Sequence, residues 1–182
     1  MIRYTAVAQF FHWGMALLIA GLLSLGFVMT DMPLSPEKLQ FYSWHKWAGV
    51  TVFMLVWLRL LWRVIHPPPA YPNSMSLTMQ RLAHLGHVLL YGLMVVIPIS
   101  GWLLSSAKGV QTVWFGVVPL PDLLEKDKAL GHWLHEVHES LNIFLLCLLA
   151  GHVAASLKHH WMDGDDVLRR MLPGSSQSEE NT

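Results

Sequence analysis

The chain has 182 residues, of which 53% are hydrophobic and only 13% are charged, with twelve basic residues balanced by twelve acidic ones. Apolar residues gathered in long blocks favour a membrane protein over a soluble domain, and the even charge balance argues against binding of nucleic acid. Cys147 is the only cysteine, which excludes an internal disulfide, and no CxxCH motif is present for covalent attachment of haem.

Four apolar segments are each long enough to cross a bilayer as a helix, which takes about 20 residues. They run over residues 6–29, 41–65, 81–105 and 131–160. Prolines in the stretches between them place those stretches outside the hydrocarbon. We therefore predict an all-α membrane protein, an antiparallel four-helix transmembrane bundle that forms one domain over residues 1–173. A polar tail over residues 174–182 is expected to be disordered.

Basic residues near the helix ends predict the orientation of the bundle, because cytoplasmic loops carry an excess of lysine and arginine. The side that holds both termini has seven basic residues and the opposite side has five. The seven are Arg3, Arg59, Arg63, Arg81, Lys158, Arg169 and Arg170, and the five are Lys38, Lys46, Lys108, Lys126 and Lys128. We therefore expect both termini to lie in the cytoplasm.

Eleven histidines occur in the chain, and histidine inside a membrane segment normally serves a function. On an antiparallel path, His12 in the first helix and His152 in the fourth lie at matching depths near the cytoplasmic side. His45 and His138 form a second matched pair near the outer side. His138 and His152 are 14 residues apart, which corresponds to about 40° around a helix and roughly 21 Å along it. One face of the fourth helix thus presents two stacked imidazoles.

Two stacked pairs suit two non-covalent, b-type haems, each held between imidazoles of two helices. With both axial positions of the iron filled, the expected chemistry is electron transfer through the bilayer. The histidines could instead hydrogen-bond between helices, but polar groups in lipid are costly, and four that pair by depth favour ligands. We predict His12, His152, His45 and His138 as haem ligands, and no separate catalytic residue.

The remaining histidines fit the ligand role less well. His135 points about 100° away from the ligand face of the fourth helix, and His132 lies farther still from that face. His84 and His87 are an i, i+3 pair that could bind a metal ion, or contact haem propionates or lipid headgroups. His159 lies just beyond the ligand face, about 60° from it, and is a candidate for lining a quinone pocket.

Five motifs occur in order at suitable spacing. They are FFHW at 10–13, SWHKWAG at 43–49, RLAHLGHVLLYGLM at 81–94, VHESLN at 137–142 and GHVAASLKHHW at 151–161. Together they resemble the bacterial cytochrome b561 family over nearly the whole chain. The resemblance implies a dihaem, quinone-linked oxidoreductase of the bacterial inner membrane, with His12 and His152 on one haem and His45 and His138 on the other.

Some members of that family are thought to take electrons from superoxide at the outer face and reduce ubiquinone, and the resemblance implies the same reaction here. The five outer lysines could steer an anion, although interleaved carboxylates weaken that field. A periplasmic electron-transfer protein is the other donor considered. One alternative function is a cytochrome b subunit that links a partner dehydrogenase or hydrogenase to quinone. A histidine-based metal-ion transporter fits less well, because transport sites cluster at one depth.

Overall fold

The computed structural model describes residues 3–72 and 74–174. Four long helices, α1 (Ala6–Asp31), α2 (Pro36–Ile65), α3 (Leu77–Ala107) and α4 (Lys128–Trp161), account for most of them. All four are long and apolar enough to cross a membrane. The predicted all-α architecture is therefore confirmed. The predicted disordered tail, from residue 175 onward, lies outside the described residues.

The helices α2, α3 and α4 begin before the predicted segments do, because a polar capping residue precedes the apolar stretch in each. Ser35 precedes α2 and accepts a hydrogen bond from the backbone N–H of Lys38, and Ser76 precedes α3 in the same way. The Asp127 carboxylate caps α4 by accepting from the N–H groups of Ala129 and Leu130. Starts predicted at residues 41, 81 and 131 therefore fall inside the first two turns of helices that begin at 36, 77 and 128.

The helices pack chiefly with their neighbours along the chain, α3 against α4, α1 against α2, and α2 against α3. Their shared core lies at mid-height of the bundle and contains Met15, Ile19, Val52, Val56, Leu90, Leu93, Met94, Ile97 and Leu145. Most of the remaining apolar surface of the helices points outward, and only 6% of the most apolar stretch of α4 is buried. Such a surface suits lipid rather than water.

At one end of the bundle, which we call the hairpin face, a short antiparallel hairpin packs on α2. Its strands are β1 (Val113–Trp114) and β2 (Val118–Pro119). The indole N–H of Trp47 donates to the carbonyl of Val113 at 2.6 Å. Gly116 has φ = 71° in the connecting turn, a conformation that glycine adopts without strain. The hairpin was not among the predicted elements.

The opposite end, which we call the terminal face, is closed by a short helix, α5 (Val167–Met171), which was also not predicted. The indole N–H of Trp13 donates to the carbonyl of Met171 at 2.9 Å, and the Gln9 amide donates to the carbonyl of Arg170 at 3.2 Å. Arg170 itself donates to the carbonyl of Ala70 in the loop between α2 and α3. These contacts join the two ends of the chain to that loop.

Replacing Trp47 with Phe should loosen the hairpin, because it removes the indole donor and leaves the Val113 carbonyl without that partner. We expect the unfolding free energy to fall by about 1 kcal/mol, and cleavage within residues 108–127 by an added protease to become faster. Trp133→Phe is the matched control, because Trp133 is 62% exposed. Equal protease resistance of the two variants would contradict this account of the hairpin.

Candidate functional site

The four predicted ligand histidines come together as two pairs at opposite ends of the bundle. The rings of His12 on α1 and His152 on α4 have centres 6.3 Å apart. The rings of His45 on α2 and His138 on α4 have centres 6.4 Å apart. The first pair lies toward the terminal face and the second toward the hairpin face.

Both separations match what one iron between two imidazoles requires. An imidazole nitrogen binds a metal at about 2 Å, and that nitrogen lies about 1.1 Å from the centre of its ring. Two rings on opposite sides of one iron therefore have centres about 6.3 Å apart. Stacked rings lie closer, as for Trp62 and His66 at 4.0 Å, whereas rings in edge contact, such as Phe53 and Trp57, have centres 6.2 Å apart. The spacing of each pair leaves room for an iron.

At the hairpin-face pair, α3 holds His138 in the tautomer that a metal ligand needs. The Ser100 hydroxyl donates to the carbonyl of Ile97 at 2.8 Å, so its oxygen is free to accept from Nδ1 of His138, also at 2.8 Å. His138 then carries its proton on Nδ1 and keeps a lone pair on Nε2. The partner imidazole, His45, has a buried Nδ1 with no hydrogen-bond partner among the described residues. The Nε2 lone pair of His138 is therefore available to a metal ion.

Glycine lets α3 approach the His138 ring closely. A Cβ added at Gly101 would lie 3.1 Å from Cε1 of His138, tighter than an ordinary contact. A Cβ added at Gly26 on α1 would lie 3.7 Å from Cε1 of His45, which is an ordinary contact distance. The α3 backbone thus lies close to the His138 ring, and the α1 backbone lies beside the His45 ring.

The terminal-face pair has different neighbours. An Arg59 guanidinium nitrogen lies 2.9 Å from Nδ1 of His12, and a third imidazole, that of His87, has its ring centre 5.4 Å from that of His152. This separation is too short for an iron between the two rings, so His87 packs beside the pair. Its proposed i, i+3 partner, His84, is exposed, whereas His87 is partly buried.

His159 lies at the end of α4 on the terminal face, where it is buried beside two carboxylates. Its Nδ1 is 2.6 Å from an Asp165 carboxylate oxygen and 3.1 Å from one of Asp163. Lys158 also pairs with Asp163 at 2.6 Å, and this hydrogen bond holds the pKa of the Asp163 carboxyl below its usual value. His132 on the same helix is exposed, and His135 is partly exposed and outside both pairs.

The comparison with known families accounts for this arrangement. A family model described as prokaryotic cytochrome b561 matches residues 3–174. The chain belongs to the prokaryotic cytochrome b561 family. The resemblance inferred from the five histidine-containing motifs is therefore confirmed over nearly the whole chain.

Individual relatives agree with the family assignment. Cytochrome b561 homolog 2 of Escherichia coli (strain K12) is 35% identical over 96% of this chain and 93% of its own length. Cytochrome b561 homolog 1 of the same strain is 28% identical over 95% of this chain and 98% of its own. A Yersinia pestis protein named "Probable superoxide oxidase CybB" is 28% identical over 71% of this chain and 73% of its own.

Membership in the cytochrome b561 family establishes the coarse function. The chain is a multi-pass bacterial membrane protein that binds b-type haem and takes part in membrane electron transfer. Three positions around the pairs were missed as functional residues in the sequence: Ser100, Gly101 and Arg59. A serine and glycine in succession on a membrane helix are a weak signal of close approach, and an arginine within an apolar segment is a stronger one.

Gly101→Ala should disturb the b561 site at His138, because the added methyl group must displace the imidazole by a few tenths of an ångström. We expect a shifted low-spin haem signal in electron paramagnetic resonance and a lower haem-to-protein ratio. Gly92→Ala on the same helix is the control, since nothing lies within 4 Å of its added Cβ. Each glycine-to-alanine substitution should favour the helical conformation of α3 by about 1 kcal/mol, so this effect is the same in both variants. Identical spectra for the two variants would show that Gly101 does not confine His138.

Proposed function

We propose that this cytochrome b561 binds two haems and passes electrons between the two faces of the membrane. His12 and His152 would hold one haem, and His45 and His138 the other. The observation that carries the proposal is the presence of two imidazole pairs, with ring centres 6.3 and 6.4 Å apart, at opposite ends of one bundle. Each bound iron would supply a one-electron change of valence.

The protein itself would position the haems and keep water away from them. The apolar core at mid-height separates the two imidazole pairs, and α4 carries one ligand of each pair on a single rigid helix. A rigid support keeps the distance between the two sites constant, and an apolar surrounding favours the less charged form of each iron centre.

We propose that the cytochrome lies in the inner membrane with its terminal face toward the cytoplasm. The support is the distribution of basic residues, seven on that side against five on the hairpin face. Electrons that enter near His45 and His138 would then cross toward His12 and His152.

Ubiquinone is the proposed acceptor at the terminal face. Its reduction to the quinol takes two electrons and two protons, so a reduction site needs a route for protons as well as a nearby haem. His159 is buried on this face and hydrogen-bonded to Asp165, an arrangement that can hold and release a proton at the imidazole. His159 is therefore the proposed residue for proton delivery to the quinone.

Superoxide is the proposed donor at the hairpin face. Two superoxide anions would each give one electron and leave as dioxygen, while one ubiquinone takes two electrons and two protons to become ubiquinol, which balances the reaction. Three lysines at this face, Lys46, Lys108 and Lys126, provide positive charge for an incoming anion. The name of the Yersinia pestis relative supports this choice of donor by analogy.

A second candidate is a cytochrome subunit that links a partner dehydrogenase or hydrogenase, or a periplasmic electron-transfer protein, to quinone. The observation that favours it is the exposed apolar tip of the hairpin, where Phe115, Val117 and Val118 are 56%, 77% and 45% exposed. Apolar side chains exposed outside the helical segments suit contact with another protein. Purification from the native membrane with a stoichiometric second subunit would favour this candidate.

Removing one ligand from each pair should remove one haem at a time. We expect His138→Ala and His152→Ala each to halve the haem-to-protein ratio measured by pyridine haemochrome absorbance, and to leave the other haem's spectrum unchanged. His135→Ala is the control on the same helix. Loss of both haems from His135→Ala, with no effect of His138→Ala, would overturn the ligand assignment.

Stopped-flow reduction of the purified, oxidised cytochrome should identify the donor. We expect superoxide to reduce the haems and added ubiquinone to reoxidise them. His159→Gln should slow the reoxidation by about 10²-fold, the usual scale for loss of a proton-transfer group, without changing haem content. His132→Gln is the exposed control. Reduction by quinol but not by superoxide would reject superoxide as the donor.

A further inference from the structure

Two arginines lie beside the terminal-face pair, one helical turn apart on α2. The Arg59 and Arg63 guanidinium carbons lie 5.4 and 5.8 Å from the ring centre of Tyr91 on α3. Arg59 also reaches Nδ1 of His12 at 2.9 Å. Within residues 3–72 and 74–174, no carboxylate lies within 4.0 Å of either guanidinium. Two neighbouring cations thus share one aromatic ring without an anion, inside a membrane-spanning helix.

The contact between Arg59 and His12 is incompatible with iron ligation by a neutral His12. Arginine has only donors, so Nδ1 of His12 must accept and the ring proton must lie on Nε2. If iron takes Nε2, that proton moves to Nδ1, which can no longer accept from Arg59. If iron takes Nδ1, it occupies the acceptor directly. In both cases Arg59 loses this partner when iron binds.

A displaced guanidinium in this position needs an anion. Its neighbour Arg63 repels it, the Tyr91 face supplies a cation–π contact of about 1 kcal/mol, and a charge without a counter-ion within a membrane segment is costly. The porphyrin of a b-type haem carries two carboxylates, and two guanidinium groups match them in number and in bidentate geometry.

We propose that Arg59 and Arg63 form an anion site for the carboxylates of the haem held by His12 and His152, and that Arg59 leaves His12 when this haem binds. The inference rests on the proposed ligand pairs. The same arginines could in principle bind lipid phosphates, which share the anionic chemistry, so the test must separate the two sources.

The test compares iron protoporphyrin IX with its dimethyl ester, which lacks both negative charges. Full-length protein is loaded in detergent with either porphyrin, and transfer of each porphyrin to excess apomyoglobin is timed. We expect the double variant with Arg59→Gln and Arg63→Gln to lose one of its two free-acid haems about tenfold to a hundredfold faster than wild type, the scale of a charge-assisted hydrogen bond. For the ester, the two proteins should differ by less than about twofold.

Two further variants control the comparison. Arg169→Gln removes an exposed arginine on the same face and should leave both rates unchanged. Arg59→Lys keeps the charge but loses the planar fork, and should give an intermediate rate. The haem at His45 and His138 serves as an internal reference for folding, because its rate should be the same in every variant.

Three results would overturn the inference. Equal acceleration for the free acid and the ester would indicate a purely structural role. Unchanged haem loss together with loss of copurified phosphatidylglycerol, measured by native mass spectrometry, would assign the arginines to lipid. Unchanged haem loss and unchanged lipid would show that the arginines bind neither. Failure of the wild-type protein to bind either porphyrin would instead reject the proposed function.

Discussion

A polar side chain inside a bilayer must have a partner, because hydrocarbon offers none, and the imidazoles of this bundle show how that requirement organises a structure. One pair places an imidazole of α1 beside α4 and the other places an imidazole of α2 beside α4, although α4 packs chiefly against α3. The ring centres in each pair have the separation that an intervening iron would require. The bundle is therefore held at both ends by groups whose partner would come from a cofactor, while the apolar core joins the helices between them.

The two imidazole pairs differ in the residues that contact them. At the hairpin face, Ser100 sets the tautomer of His138, and Gly101 lets the α3 backbone touch the ring. At the terminal face, an arginine from α2 contacts His12. At the two ends of the bundle, tryptophans on α1 and α2 donate to backbone carbonyls, Trp47 to the hairpin and Trp13 to α5. Indole hydrogen bonds thus fix these helix ends, and among residues 3–72 and 74–174 no ion pair joins two of the long helices.

Much of this arrangement could be predicted from the sequence. Apolar length identified all four helices, and helical periodicity singled out the four histidines that the fold brings into two pairs. The hairpin and α5 were missed because each is short and is held by a tryptophan far away in the chain, which local patterns do not reveal. Helix starts were placed too late because hydropathy marks the hydrocarbon boundary, whereas Ser35, Ser76 and Asp127 mark the caps. Arg59 was counted only as an orientation signal, since its contact with His12 depends on how α1 and α2 pack.

The two imidazole pairs are consequently unequal in their readiness for a haem. His138 already presents a free Nε2 lone pair, so ligation there requires no change in its hydrogen bonds. His12 would have to give up its contact with the Arg59 guanidinium before it could bind iron. Preorganisation lowers the free-energy cost of binding by the amount that would otherwise be spent on rearrangement. The terminal-face site would therefore need a compensating contact for Arg59 that the hairpin-face site would not, because a serine on α3 contacts His138 whereas an arginine on α2 contacts His12.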